Sequence, residues 1–235
     1  GVSLVDMING VFLYVFNALA TGGTIVVSQY MGSKDLKRGK KSASQLVMIT
    51  VLLSFLFLFL MTIGNRTLLG ILFGSIEADV MEAALTYLVI TACSYPFMEA
   101  YRAFAALFRA MGNSKITMKI SLGMNVINVV GNAIGVFVLE AGVTGVAVAS
   151  LVSRLIAAAV MFVLLLDRER TISLNMRDIV SWDGDLLKKI LSIAIPSGIE
   201  SGMFQICRVV LTSVIATFGT AQIAANGVAV SIDNI

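Results

Sequence analysis

Of the 235 residues 58% are hydrophobic and only 13% are charged, against roughly a quarter charged in ordinary soluble domains, so a water-soluble globular fold is excluded. Histidine is absent, and the two cysteines both fall inside apolar runs; this removes imidazole-based catalysis, His-based zinc sites and a disulfide scaffold. The formal charge of +3 matters less than where the charges sit.

A helix needs about 20 apolar residues to cross the hydrocarbon core. The pattern predicts an all-helical polytopic membrane protein with spans at about 8–31, 43–63, 85–110, 116–138, 143–166 and 187–218, and a further one opening near 221. After the first span, loop 32–42 carries Lys34, Lys37, Arg38, Lys40 and Lys41. The turn at 109–119 carries Arg109, Lys115 and Lys119, and loop 167–189 carries Arg168, Arg170, Arg177, Lys188 and Lys189. Thirteen of seventeen basic residues thus lie on alternate connections, while the opposite ones hold Arg66, Glu77, Asp79, Glu82 and Glu140. By the positive-inside rule the basic set is cytoplasmic, which makes a nucleic-acid partner unnecessary. Loop 167–189 also holds Trp182 and suits an amphipathic segment at the membrane surface.

Polar groups at membrane depth are costly and normally face a cavity or one another. In NVINVVGNAIGVF, Asn125, Asn128 and Asn132 recur at i, i+3 and i+7, on one side of a helix. They either hydrogen-bond neighbouring helices or line a hydrated cavity and offer side-chain oxygens to a cation. Glu99 and Arg102 share the third span, and Arg154 lies in the fifth. A buried ion-pair cluster joining helices is favoured over a proton relay, because two arginines would hold Glu99 ionised. Glu200 has no basic residue within a turn and follows Pro196, which frees a backbone carbonyl; a carboxylate in that setting suits a cationic drug, sodium or a proton. Gln205 is a candidate neighbour. Asp6 and Asp233 stand at span starts as ordinary caps. Gly131 with Gly135, and Gly142 with Gly145, have the spacing of close helix approach.

Four stretches, ALATGGTIVVSQYMGSKD at 18–35, LFRAMGNSKI at 107–116, GVTGVAVASLVSR at 142–154 and AIPSGIESGMFQ at 194–205, resemble the multidrug and toxic compound extrusion (MATE) family of secondary transporters. The resemblance implies family helices two to seven and the start of eight. The expected divisions are then a first-lobe bundle at 1–166, an inter-lobe loop at 167–186 and the opening of the second lobe at 187–235. A faint likeness between GVSLVDMIN at the start and GVAVSIDNI at Gly227 agrees with two similar halves and with a fragment.

The resemblance further implies export of organic cations and amphipathic compounds from the cytoplasm of a bacterial cell, in exchange for sodium or protons, by a protein monomeric in function. It needs no cofactor beyond the coupling ion. In many members an Asn followed by an Asp one turn later belongs to a cation site; here the pair is Asn128 and Asn132. An amide oxygen can still meet sodium but takes up no proton at ordinary pH. The family's functional Glu on the Pro-containing helix commonly stands about two turns after the Pro, where this chain has Phe204, so its role does not pass directly to Glu200. The alternative is a lipid or lipid-linked oligosaccharide flippase of related architecture. An enzyme is not expected, since no G-x-S-x-G, P-loop or G-x-G-x-x-G occurs and Glu99 with Glu200 would be the sole acid-base candidates.

Overall fold

A computed structural model describes residues 2–64, 78–138, 142–167 and 169–216. Connections 65–77 and 139–141 and the segment from 217, with Arg66, Glu77, Glu140 and Asp233, lie outside the described residues. All the regular structure described is helical. The elements are α1 (Val2–Gly32), α2 (Leu36–Ile63), α3 (Ala78–Ala110), α4 (Ser114–Ala133) continued by a π-helical turn (Ile134–Val138), α5 (Gly142–Leu165), the short α6 (Met176–Val180) and α7 (Gly184–Ala216). The six long helices overlap the six predicted spans. Among the described residues, Leu36–Ile63, Ser114–Val138 and Thr144–Leu165 are long and apolar enough to cross a membrane.

Local chemistry sets the ends. Lys34 takes a left-handed φ of 61° in the turn out of α1, and Asp35 then caps α2 by accepting from the Arg38 N–H at 3.1 Å. Gly112, at φ 74°, closes α3: the Asn113 N–H reaches back to the Phe108 carbonyl at 2.9 Å, the bond of a Schellman ending that only a residue tolerant of positive φ permits. The MGN sequence is therefore a stop signal with a mechanism.

The core lies where α1, α2, α3 and α5 meet, around Val26, Leu46, Leu107, Phe108, Met161 and Leu165, and it extends to Ile172 in the link and to Ile190 and Ala194 of α7. α4 leans on α5 alone over much of its length and leaves Met118, Leu122, Val126, Val129 and Phe137 exposed. A helix so apolar and so uncovered is at ease in lipid, where these side chains lose nothing by facing outward. Its contact with α5 is backbone-close. A Cβ on Gly131 would meet the Ala149 Cβ at 2.9 Å, and one on Gly145 would meet the Gly135 carbonyl oxygen at 2.8 Å. The small-residue spacing is used as helix packing.

α7 packs on α1 in the same way. A Cβ on Gly22 would fall 2.7 Å from the Ile190 carbonyl oxygen, and one on Gly198 would sit 3.2 Å from the Ala18 Cβ. Beyond this contact Ile199, Met203 and Phe204 are exposed.

Candidate functional site

The polar residues of the spans gather into two clusters and one outlier. On α4 and α5, Asn128 Nδ2 donates to Ser150 Oγ at 3.1 Å and to Ser153 Oγ at 3.4 Å. Asn132 Nδ2 donates to Asn128 Oδ1 at 3.1 Å. This uses both donor and acceptor of Asn128 but leaves the shielded Asn132 Oδ1 with no hydrogen bond. An orphaned buried acceptor is expensive, and a neutral amide oxygen of this kind is a ligand atom suited to a hard cation.

Asn125 does not join them. It is exposed on α4 and takes no part in the hydrogen bonds that join Asn132, Asn128, Ser150 and Ser153. Helical periodicity placed three amides on one side, but only Asn128 bonds across to α5, and Asn132 joins it along α4.

The second cluster joins α1, α3 and α5. Arg102 Nε lies 3.7 Å from Glu99 Oε1, while its Nη1 donates to Asn17 Oδ1 at 3.2 Å. Arg154 Nη1 donates to Ser94 Oγ. Glu99 is buried, with its second oxygen making no hydrogen bond. The three charged residues thus come together as an inter-helix cluster, in which paired charges are tolerable at membrane depth. Pro96, inside α3 between Ser94 and Glu99, lacks an N–H and so frees the Ala92 carbonyl in the same stretch.

Glu200 stands apart on α7. It is exposed and shares an open recess of about 460 Å³ with Pro196, Ile199, Met203, Phe204 and Cys207. Ile199 also lines an apolar groove of about 310 Å³ between α1 and α7, with Tyr14, Val15, Leu19 and Ile195. The side chains of Gln205 and Arg208 lie outside the described residues.

A third assembly was not anticipated. Gln45, in the middle of an apolar run on α2, is wholly buried. Its Nε2 donates to the Asp178 carbonyl at 3.0 Å and to the Ser181 carbonyl, and its Oε1 accepts the Asp183 N–H at 3.0 Å. Lys41 Nζ meets Asp183 Oδ2 at 2.6 Å. The same carboxylate caps α7 by accepting the Leu186 N–H at 3.2 Å. The Lys41 hydrogen bond first, and the Leu186 N–H next, hold the Asp183 carboxyl below its usual range. A glutamine amid hydrophobic residues was the available signal; its partners are backbone groups that no side-chain pattern reveals. α6 and the residues after it present Met176, Val180 and Trp182 outward, the apolar edge expected of a segment at a membrane surface.

The sequence model of the MatE family matches residues 1–134, more than half of the chain. The chain belongs to the MatE family. The MatE family comprises membrane transporters, not enzymes. Among curated relatives this MatE chain is 26% identical over 222 residues to the "Uncharacterized transporter YisQ" of Bacillus subtilis (strain 168), covering 93% of this chain and 48% of that protein. It is 22% identical over 227 residues to the "Multidrug export protein MepA" of Staphylococcus aureus (strain MSSA476), covering 97% and 50%. The chain therefore spans about half the length of the curated relatives it matches. The fold is that of the Vibrio cholerae MATE transporter VcmN in its bent form, with a TM-score of 0.86 at 20% identity, over 98% of this chain and 51% of that one. A MOP superfamily transporter from Pyrococcus furiosus gives a TM-score of 0.84 at 20% identity, over 99% and 51%.

Proposed function

We propose that this MatE chain supplies the first lobe and the opening of the second lobe of a cation-coupled exporter of amphipathic organic cations. The observation that carries the reading is the pairing on α7 of an exposed acid with apolar walls: Glu200 borders a stretch that, through Ile199, also lines the α1–α7 groove. A carboxylate at the rim of an apolar surface is the chemistry that retains a compound with a greasy body and a positive end. Relatives described as multidrug export proteins support it, and they do not favour the flippase alternative.

Coupling is assigned to the other helix pair. The orphaned Asn132 Oδ1 and Ser150 Oγ offer neutral oxygens, which favours sodium over a proton at this position. Each ligand then biases the equilibrium between two access states by its differential affinity for them. The basic loops 32–42, 109–119 and 167–189 face the cytoplasm in this reading.

The test is dye efflux from proteoliposomes containing the chain within its complete transporter, under an imposed sodium gradient or an imposed pH gradient, with wild type beside Glu200→Gln. Efflux driven by sodium and lost in the variant is the expected result. No efflux of any cationic dye under either gradient sinks the export reading.

A further inference from the structure

A cavity in the described residues opens at the basic end of the bundle, where the start of α2 faces the start of α7. It measures about 570 Å³, and Lys37, Arg38 and Lys189 reach it together with Tyr30 and Asp185. Its charges are not all free. Lys41 is held by Asp183 at 2.6 Å, and Arg38 lies 3.8 Å from Asp35, its capping neighbour. Lys189 is half-buried and fixed with its ammonium 4.4 Å from the Tyr30 ring centroid, a cation–π contact that orders the side chain without neutralising it. Three acids line the cavity beside four cations: Asp35 faces Arg38, Asp183 holds Lys41 and Asp185 is exposed, so Lys37 and Lys189 remain as cations without a carboxylate partner within ion-pair distance among the described residues.

We propose that this cavity seats a phosphate-bearing anion, the headgroup of an acidic phospholipid of the adjacent leaflet, held between Lys37 and Lys189 with Arg38 at its edge. Three observations set the choice. The two cations come from different elements, so a bridging anion ties the start of α2 to α7, as the Gln45 contacts tie the link to α2. The volume accommodates a glycerophosphate group but exceeds what a bare ion fills. Leu36, next to Lys37 at the start of α2, and Trp182, just before α7, are both exposed, and an exposed Trp flanking a basic patch suits the headgroup level where lipid phosphates lie. The placement at the cytoplasmic leaflet rests on the sidedness proposed above; binding itself does not.

The experiment measures thermal unfolding of the purified full chain in a neutral detergent, with phosphatidylglycerol, phosphatidylcholine or inorganic phosphate added, and counts retained lipids by native mass spectrometry. Phosphatidylglycerol is expected to raise Tm and remain bound, phosphatidylcholine to do neither, and Lys37→Gln to weaken phosphatidylglycerol retention about tenfold. Lys34→Gln, a cation in the turn just before α2 that does not line the cavity, is the control and is expected to bind as wild type. Lys189→Gln checks the second cation, with circular dichroism confirming that loss of the Tyr30 contact leaves the fold intact. Equal stabilisation by inorganic phosphate at millimolar concentration overturns the lipid assignment in favour of a soluble phosphate. Retention that is unchanged in both Lys37→Gln and Lys189→Gln, or equal for the two lipids, overturns the site altogether. Failure of dye export leaves these outcomes unaffected.

Discussion

Gln45 holds the backbone N–H of Asp183 through its side-chain oxygen at 3.0 Å, across a sequence separation of 138 residues. With the same amide donating to the Asp178 and Ser181 carbonyls, one side chain satisfies three backbone groups of the link between the spans. The link is therefore docked on α2, although its composition reads as a polar loop.

Gln45→Leu keeps the volume but strands those groups, at about 1–3 kcal/mol for each one left buried and unpaired. A lower Tm is expected, together with faster protease nicking between 175 and 183. Unchanged nicking alongside an unchanged Tm would show that the link does not depend on this contact.

The glycines of the two close helix pairs should respond in opposite ways to those that face open space. Gly145→Leu forces α5 away from the Gly135 backbone, which a Cβ at 145 would already meet at 2.8 Å; overpacking of this kind costs about 1–3 kcal/mol. Gly123→Ala has nothing within 4 Å of the new Cβ and is expected to stabilise α4 by about 0.5–1 kcal/mol through backbone entropy. Chemical denaturation of the two variants in the same detergent checks the signs.

Asn132→Asp restores a titratable oxygen one turn from Asn128. Efflux by the complete transporter is then expected to gain a dependence on the pH gradient that the wild-type residue cannot provide. Asn128→Ala removes the acceptor for Asn132 and the donor to Ser150 and Ser153, and is expected to reduce sodium-driven efflux at least tenfold. Sodium dependence that survives in Asn128→Ala would move the coupling site elsewhere.

The Lys41–Asp183 contact carries a pH signature. Its carboxyl is held below the ordinary value, so it stabilises the folded state above the unfolded pKa of about 3.9. That contribution disappears as pH falls through the lower folded value. Both side chains are partly exposed, at 40% and 21%, so the contact is worth less than about 1 kcal/mol after screening. Hydrogen exchange at the start of α7 is expected to stay constant from about pH 5 to 7 relative to the Lys41→Met variant, and the difference to shrink below about pH 4. A difference that persists undiminished at acid pH would contradict the charge pairing.

Much of this protein is fixed by its sequence alone, because a bilayer forces every spanning segment to satisfy its own backbone. Apolar run length gave the six long helices, the MGN turn ended α3, and small-residue spacing marked the α4–α5 contact. The grouping of Glu99, Arg102 and Arg154 was also legible, since charges at membrane depth have few other options. Tertiary structure decided what periodicity cannot: which polar residues find a partner across the helix interface. It gave Asn128 two α5 serines as partners, joined Asn132 to it and left Asn125 exposed, and it turned Gln45 into a clamp on distant backbone groups. It also left Glu200 exposed on α7, apart from the α4–α5 amides. A helix sequence records which side of a residue is polar; the neighbour waiting there is chosen only when the helices pack.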